Sequence, residues 1–382
     1  MSVRVAVGIA ADDAGIDSYA EAASRAALGL GGAPCDLAVV FGGVPNARHA
    51  SEGVGAVQGR LNPGALVGCG AQGVLGAGRE VEQGGVTVWG ASFPGAEIEP
   101  FALEAAMVGD RLALSGVPEL DGADAVLLLV DPYTFPVEPL LSHVNDAWRG
   151  VPVIGGLASA GPGAGLLLGD EALEGGAVGI VLRGSRALAF VSQGARPVGP
   201  EMIVTGGEGN VITELASRPA LERLQEAIME LDPSEQALAA RGLLIGVVVD
   251  PNKPDYERGD FLIRGIVGVD EEAGSLTVGT TVHVGQAMRL QVRDAMSAHE
   301  DLVETLGSGL ERLPAPPAGA LLFTCNGRGS DMFGIPDHDA QAVADALSGA
   351  PTGGFFCAGE IGPVGDRSFV HGFTATLAVF PE

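Results

Sequence analysis

The sequence predicts an α/β (α+β) protein of two related halves, with mixed β-sheets flanked by helices and built from duplicated strand-helix-strand-strand units. Three observations carry this expectation. Short apolar runs rich in Val, Leu and Ile alternate with Ala-rich amphipathic stretches, which is the mark of strands covered by helices. The 60 glycines follow no collagen period and sit beside 47% hydrophobic residues, so they read as tight turns in a folded chain rather than disorder. Finally, one order of elements recurs along the chain, with a Gly-containing turn after the first strand of each copy and another after the second.

In chain order, Val3 to Ile9 reads as a strand and Asp17 to Leu28 as an amphipathic helix capped by Asp17 or Ser18. The first copy of the unit follows: a strand over residues 35–43 ending at Gly42-Gly43, a helix from Ala47 to Gln58, a strand with a Gly-rich exit over 64–76, and a return over 84–93. The second has a strand over 124–132, a helix from Val137 to Trp148, a strand with its exit over 151–161 at Gly155-Gly156, and a return over 175–184. Leu188 to Ile212 reads as further strands. Pro219 to Leu231 reads as a helix capped by Ser217, with Leu221, Leu224, Ile228 and Leu231 on one face, and Pro233 restarts a short helix through Ala240. Four strands are expected over 243–250, 261–270, 275–285 and 287–295, then a helix from Met296 to Leu310 and a stiff Pro-rich linker over 314–319. The third copy closes the chain: a buried strand from Gly319, a Gly-rich turn at Asn326 to Gly329, a helix from about His338 to Leu347, and two returning strands. The domain boundary is expected near 195–215, dividing the chain into residues 1–200 and 201–382.

The chain is strongly acidic, with a formal net charge of −27. Residues 1–195 carry −12 and residues 196–382 carry −15, and neither half has a basic stripe. Nucleic acid and anionic membranes are therefore disfavoured as partners, since both require clustered Lys or Arg. The opening residues start a strand rather than a cleavable apolar segment, and no run reads as a membrane span, so a cytoplasmic protein is expected. The four cysteines, Cys35, Cys69, Cys325 and Cys357, show no CxxC spacing and are expected to be reduced and buried. The glycine runs near Gly68 and Gly206 lack the GxGxxG that leads from a strand into an amphipathic helix. No nucleotide, other cofactor or metal is expected.

Candidate functional residues gather in the last copy, each where a strand ends: Cys325, Asn326, Gly327 and Arg328 after the first strand, Gly354 and Glu360 around the second, His371 before the third. A guanidinium, a carboxylate and a thiol at adjacent strand ends define a pocket expectation, because loops held by a rigid sheet carry binding groups. Backbone N–H groups of the turn can cradle an anion while Arg328 grips a carboxylate. The alternative is structural: the glycines only permit a tight turn, and Arg328 pairs with Glu360 or Asp331. Cys325 and Cys357 read as core filler, metal ligand or nucleophile, with filler favoured, and His371 as a hydrogen-bonded structural residue. Arg264 and the Arg293-Asp294 pair are charges within apolar strand patterns, either a structural pair or part of a pocket wall.

The turn CNGRG, Phe333-Gly334 after it, and GGFFCAGEIGPVG running on to HGFTA resemble the FIST domains. Phe261 to Asp270 and Arg293-Asp294 resemble the C-terminal FIST half, and the stretches near Cys69 and Gly155 resemble the N-terminal one more weakly. The resemblance implies a bacterial signal-transduction sensor that binds a small ligand, amino acids among the candidates, with no established catalysis. A small-molecule ligand and a separate signalling output protein are the implied partners. Two other functions stay open on the residues alone: an acyl-transfer or hydrolytic enzyme using Cys325 with Glu360 or His371, and a protein-interaction scaffold.

Overall fold

In the computed structural model, which describes every residue except 1, 110, 164, 252, 254 and 257, the expected unit occurs three times among the described residues, with one addition to each copy. Module one runs Leu37–Gly43, helix Ala50–Leu61, Ala65–Ala71 and Val86–Ser92. Module two runs Ala125–Val130, helix Val137–Ala147, Val153–Leu157 and Ala177–Arg183. Module three runs Pro317–Cys325, short helix Ser330–Phe333, helix His338–Ala346, Thr352–Cys357 and Thr374–Pro381. In each, the first two strands are parallel and the return strand lies antiparallel on the free side of the first.

The addition is a hairpin between the second strand and the return, where the sequence reads only as a Gly-rich exit. The hairpins are Val74–Gly76 with Arg79–Val81, Leu166–Leu168 with Glu171–Leu173, and Glu360–Val364 with Arg367–His371. None of them extends the sheet of its own module. The first pairs with Thr352–Cys357 of module three, the second with Ala65–Ala71 of module one, and the third with Val153–Leu157 of module two. Each module thus covers the edge of another in a closed cycle, removing the open strand edge that a three-stranded unit would leave.

The inner faces of the three sheets meet in one core. Phe41, Phe323 and Phe355 lie at its centre, with ring centroids 4.8 to 6.3 Å apart, surrounded by Val67, Leu129, Ile154, Ile180 and Trp89. A glycine recurs at one register of the parallel pair: Gly68 opposite Val40, Gly155 opposite Leu128, Gly354 opposite Leu322. A Cβ there would stand 2.3, 1.9 and 1.7 Å from the partner's carbonyl oxygen. The strands approach so closely at this level that only glycine fits. Helix Ile16–Leu30 lies on strand Arg4–Ala10 equally tightly through Ala22, Ala23 and Ala26; a Cβ on Gly8 would stand 1.9 Å from the Ala22 carbonyl oxygen.

The chain packs as two compact units: residues 1–191, 303–370 and 375–382, which hold the three modules, and residues 192–302 with 371–374. In the second, Ala195–Glu208, Ala287–Arg293, Leu243–Val248, Phe261–Asp270, Ser275–Val278 and Val211–Leu215 pair in that order, and the last pairs back onto the first. The ring encloses Met202, Ile212, Ile245, Leu276, Val278 and Leu290, and helices Ala220–Met229 and Pro233–Arg241 add Leu224, Ala227 and Ala239. Asp232 caps the second helix by accepting from the Ser234 and Glu235 N–H groups. The first helix starts from Pro219, not from the expected cap Ser217, which adopts a left-handed conformation and donates its N–H to Thr205 Oγ1. Helix Ile16–Leu30 likewise starts at Gly15 without a side-chain cap, while Ser18 Oγ donates to the Asp12 carbonyl and accepts from the Ala14 N–H. Only Ser275–Val278 of the expected strand over 275–285 pairs.

Candidate functional site

The carboxyl ends of Pro317–Cys325 and Thr352–Cys357 stand side by side, with Cys325 in register with Cys357. The first strand then turns sharply: the Asn326 N–H donates to the Cys357 carbonyl at 3.0 Å, and the Arg328 N–H donates to the Cys325 carbonyl at 2.9 Å. Gly327 is exposed at the apex, Cys325 and Asn326 are half-buried, and Arg328 folds back into the interior with no exposed surface.

The partner of Arg328 is Asp339, from the first turn of helix His338–Ala346. Its Nε and Nη2 donate to the two carboxylate oxygens at 2.7 and 3.0 Å, a bidentate pair with both side chains fully buried. Thr324 Oγ1 donates to the same carboxylate at 2.7 Å, and His338 Nδ1 lies 2.9 Å from it. The Phe333 ring stacks on His338 with centroids 3.5 Å apart and lies 5.3 Å from the Arg328 guanidinium carbon. Burial alone would push the Asp339 carboxyl up; the Arg328 charge and the hydrogen bonds from His338 and Thr324 overcome it and hold the group well below the usual carboxylate range. Burial, the largest single cause, would likewise lower Arg328, but the Asp339 charge and hydrogen bonds, with smaller contributions from Glu360 and Cys325, together outweigh it, and the guanidinium stays charged.

One donor and one acceptor beside this pair have no hydrogen-bond partner among the described residues: Arg328 Nη1 and Asn326 Oδ1, both buried. Glu360, fully buried at the start of the third hairpin, lies within electrostatic reach of Arg328 and of Cys357. The Cys357 thiol is raised well above its ordinary value by burial first, then by Glu360, Cys69 and Cys325.

Hairpin Val74–Gly76 with Arg79–Val81 adds a layer that the sequence does not announce. Glu82, just beyond it, accepts from the Ser330 N–H at 2.7 Å and from Ser330 Oγ at 3.1 Å, and its carboxylate packs against Gly329 so closely that a Cβ there would stand 2.7 Å from it. Glu80 Oε1 accepts from the Ala340 N–H at 2.9 Å, and the Glu80 N–H donates to Asp337 Oδ1 at 2.6 Å. Burial, with Asp339 and Asp337 nearby, raises Glu80 to about 7.

Of the residues singled out from sequence, Cys325, Asn326, Gly327, Arg328 and Glu360 belong to the three-module unit and surround the ends of the two parallel strands. Gly354 lies mid-strand, where its role is the close approach to Leu322. His371, buried at the end of Arg367–His371, belongs to the second compact unit. Arg264 and Arg293-Asp294 also lie there: Arg264 Nη1 donates to the Ile263 carbonyl, Arg293 covers the Phe373 ring at 4.5 Å, and Asp294 accepts from the Ser297 N–H and Oγ and lies 3.5 Å from Arg196. Sequence reading missed Thr324, Asp339, Glu80 and Glu82. Asp339 had a usable signal, an acidic residue in the first turn of a helix beside a buried cation, whereas Glu80 and Glu82 come from the hairpin of another module.

A cavity of about 850 Å³ lies at the amino ends of the first module's parallel strands, lined by Arg4, Gly32, Asp36, Phe93, Gly95 and Ile98. Its one carboxylate, Asp36, accepts from Ser92 Oγ and the Phe93 N–H. Among the described residues no group of His, Cys, Asp and Glu could hold a metal ion, and no helix is long and apolar enough to cross a membrane.

This fold, three interlocked α/β modules and an antiparallel barrel, with a buried Arg-Asp pair at the strand ends, is that of a mixed α/β protein. The chain belongs to the FIST family: the FIST N domain model matches residues 36–218 and the FIST C domain model residues 220–363. The family is associated with signal-transduction sensing. An uncharacterized protein of Mycobacterium tuberculosis is 43% identical over 385 residues, covering all of both chains. One of Mycobacterium bovis is also 43% identical, over all of this chain and 99% of its own.

Proposed function

We propose that the protein is a cytoplasmic sensor that binds a small polar metabolite, an amino acid foremost, at the turn Cys325 to Arg328 with Glu360, and passes the signal to a separate output protein. The observation that supports this most is the pairing of two unmet polar atoms, Arg328 Nη1 and Asn326 Oδ1, beneath a turn whose apex, Gly327, is exposed. A buried donor and acceptor without partners are costly, by about 1–3 kcal/mol each, and a ligand carrying both a carboxylate and an ammonium would satisfy them together. The bidentate grip of Asp339 fixes the guanidinium plane before any ligand arrives, so a single direction of approach is favoured. Glu360 adds negative charge for the ammonium. Gly327 leaves the backbone of the turn open to close approach.

The test is a thermal-shift screen of amino acids and small carboxylates, followed by calorimetric titration of the hit. A ligand at a hundred times its Kd stabilises by about 2.7 kcal/mol. Because Arg328 is fully buried, its truncation would confound binding with folding, so Asn326→Ala and Glu360→Gln are the informative variants, each expected to weaken binding roughly tenfold or more. Unchanged affinity in both, with melting curves intact, would place any ligand elsewhere.

A further inference from the structure

We propose that Cys325 is a peroxide-oxidisable thiol and that Cys357 resolves it, so that oxidation joins the carboxyl ends of the two parallel strands of module three through a reversible disulfide. The two residues are register partners at the last pairing of these strands, and the Asn326 N–H bonded to the Cys357 carbonyl at 3.0 Å ties the chain leaving Cys325 to that position. Neighbouring strands stand about 4.8 Å apart, within the roughly 4.4–6.8 Å between Cα atoms that a disulfide spans. Both cysteines are reduced in the structure.

Their environments divide the roles. Cys325 is half-buried beside the exposed Gly327 and within electrostatic reach of the Arg328 guanidinium, a cation that favours the thiolate, which is the reactive form. Cys357 has no exposed surface, and burial, Glu360 and the neighbouring thiols keep it protonated, which protects it from direct oxidation. In the first step the Cys325 thiolate attacks a peroxide oxygen; the S–O bond forms, the O–O bond breaks, and hydroxide (or alkoxide) leaves. In the second, the Cys357 sulfur attacks the Cys325 sulfenic acid; the S–S bond forms, the S–O bond breaks, and the hydroxyl departs as water with the Cys357 proton. Two electrons pass from the two sulfurs to the peroxide. Cross-linking fixes the turn that carries Asn326 and Arg328. The oxidation does not depend on a small molecule binding there.

The whole protein, fully reduced, is treated with hydrogen peroxide, alkylated and digested after Arg and Lys. Cleavage after Arg328 separates the two cysteines, into peptides 313–328 and 329–367. The expected result is loss of two of the four thiols, recovery of those two peptides joined, and full reversal by dithiothreitol. Cys357→Ala should leave a sulfenic acid on Cys325 that dimedone captures, and Cys325→Ser should consume no thiol at peroxide doses that convert the wild type. The wild-type peptide map decides even where a variant folds poorly. A map showing no cross-link, a cross-link through Cys69 or Cys35, or overoxidation of Cys325 without joining Cys357 would overturn the proposal.

Discussion

Glu80 gives the sharpest test of how the modules interlock. It reaches from the first module's hairpin to the amino end of helix His338–Ala346, where the Ala340 N–H donates to Oε1 while Oε2 is buried without a hydrogen-bond partner among the described residues. Asp337 and Asp339 face it, and burial, the largest cause, raises it from the ordinary 4.5 to about 7. Between those two values the folded protein keeps a proton that the unfolded chain has released. The stability contributed by the neutral acid is therefore complete below about pH 4.5 and is lost as pH rises through about 7. At about 1.4 kcal/mol per pKa unit the loss amounts to about 3 kcal/mol, an upper limit once solvent screening is allowed for. Glu80→Gln keeps the accepting oxygen and removes the titration. Denaturant unfolding of wild type and variant from pH 4.5 to 8.5 should give stabilities that nearly coincide at the acid end, separate as the pH rises towards about 7 and stay apart by a constant amount above it, with the variant more stable. A difference independent of pH would refute the account.

Other outcomes follow from the same structure. Asp339→Asn leaves the Arg328 charge buried and uncompensated and should cost about 3–5 kcal/mol by denaturant titration; replacing both residues with Leu and Met should cost less than the two single changes summed. Gly68→Ala, Gly155→Ala and Gly354→Ala should each lose about 3 kcal/mol, since the added methyl meets a backbone carbonyl in every case, and tolerance of alanine at any of the three would remove the argument that only glycine fits at this register. Residues 1–200 expressed alone lack both the strand that receives their first hairpin and the hairpin that covers Val153–Leu157, so they should show no cooperative melting transition by near-UV circular dichroism.

What the sequence determined by itself is local. Runs such as Leu37–Gly43 and Ala125–Val130 are apolar throughout because both faces of their sheets are covered, and that pattern is legible without coordinates. So are the helices with a strong apolar stripe, the recurrence of the unit, and the clustering of Cys325, Asn326 and Arg328 at one strand end. The hairpins were not legible: Val74–Gly76 and Leu166–Leu168 are three residues long, too short for a periodicity, and their pairing partners lie in other modules. Tertiary structure alone decided that exchange, and with it the compact unit that runs through residues distant in sequence. It also decided the partner of Arg328. Asp331 and Glu360 were plausible from proximity in the chain or at strand ends, but helix His338–Ala346 turns Asp339 inward, where Thr324 and a bidentate guanidinium meet it. A buried charge takes the partner whose geometry satisfies it most completely, and that geometry exists only once three strands and a helix have packed.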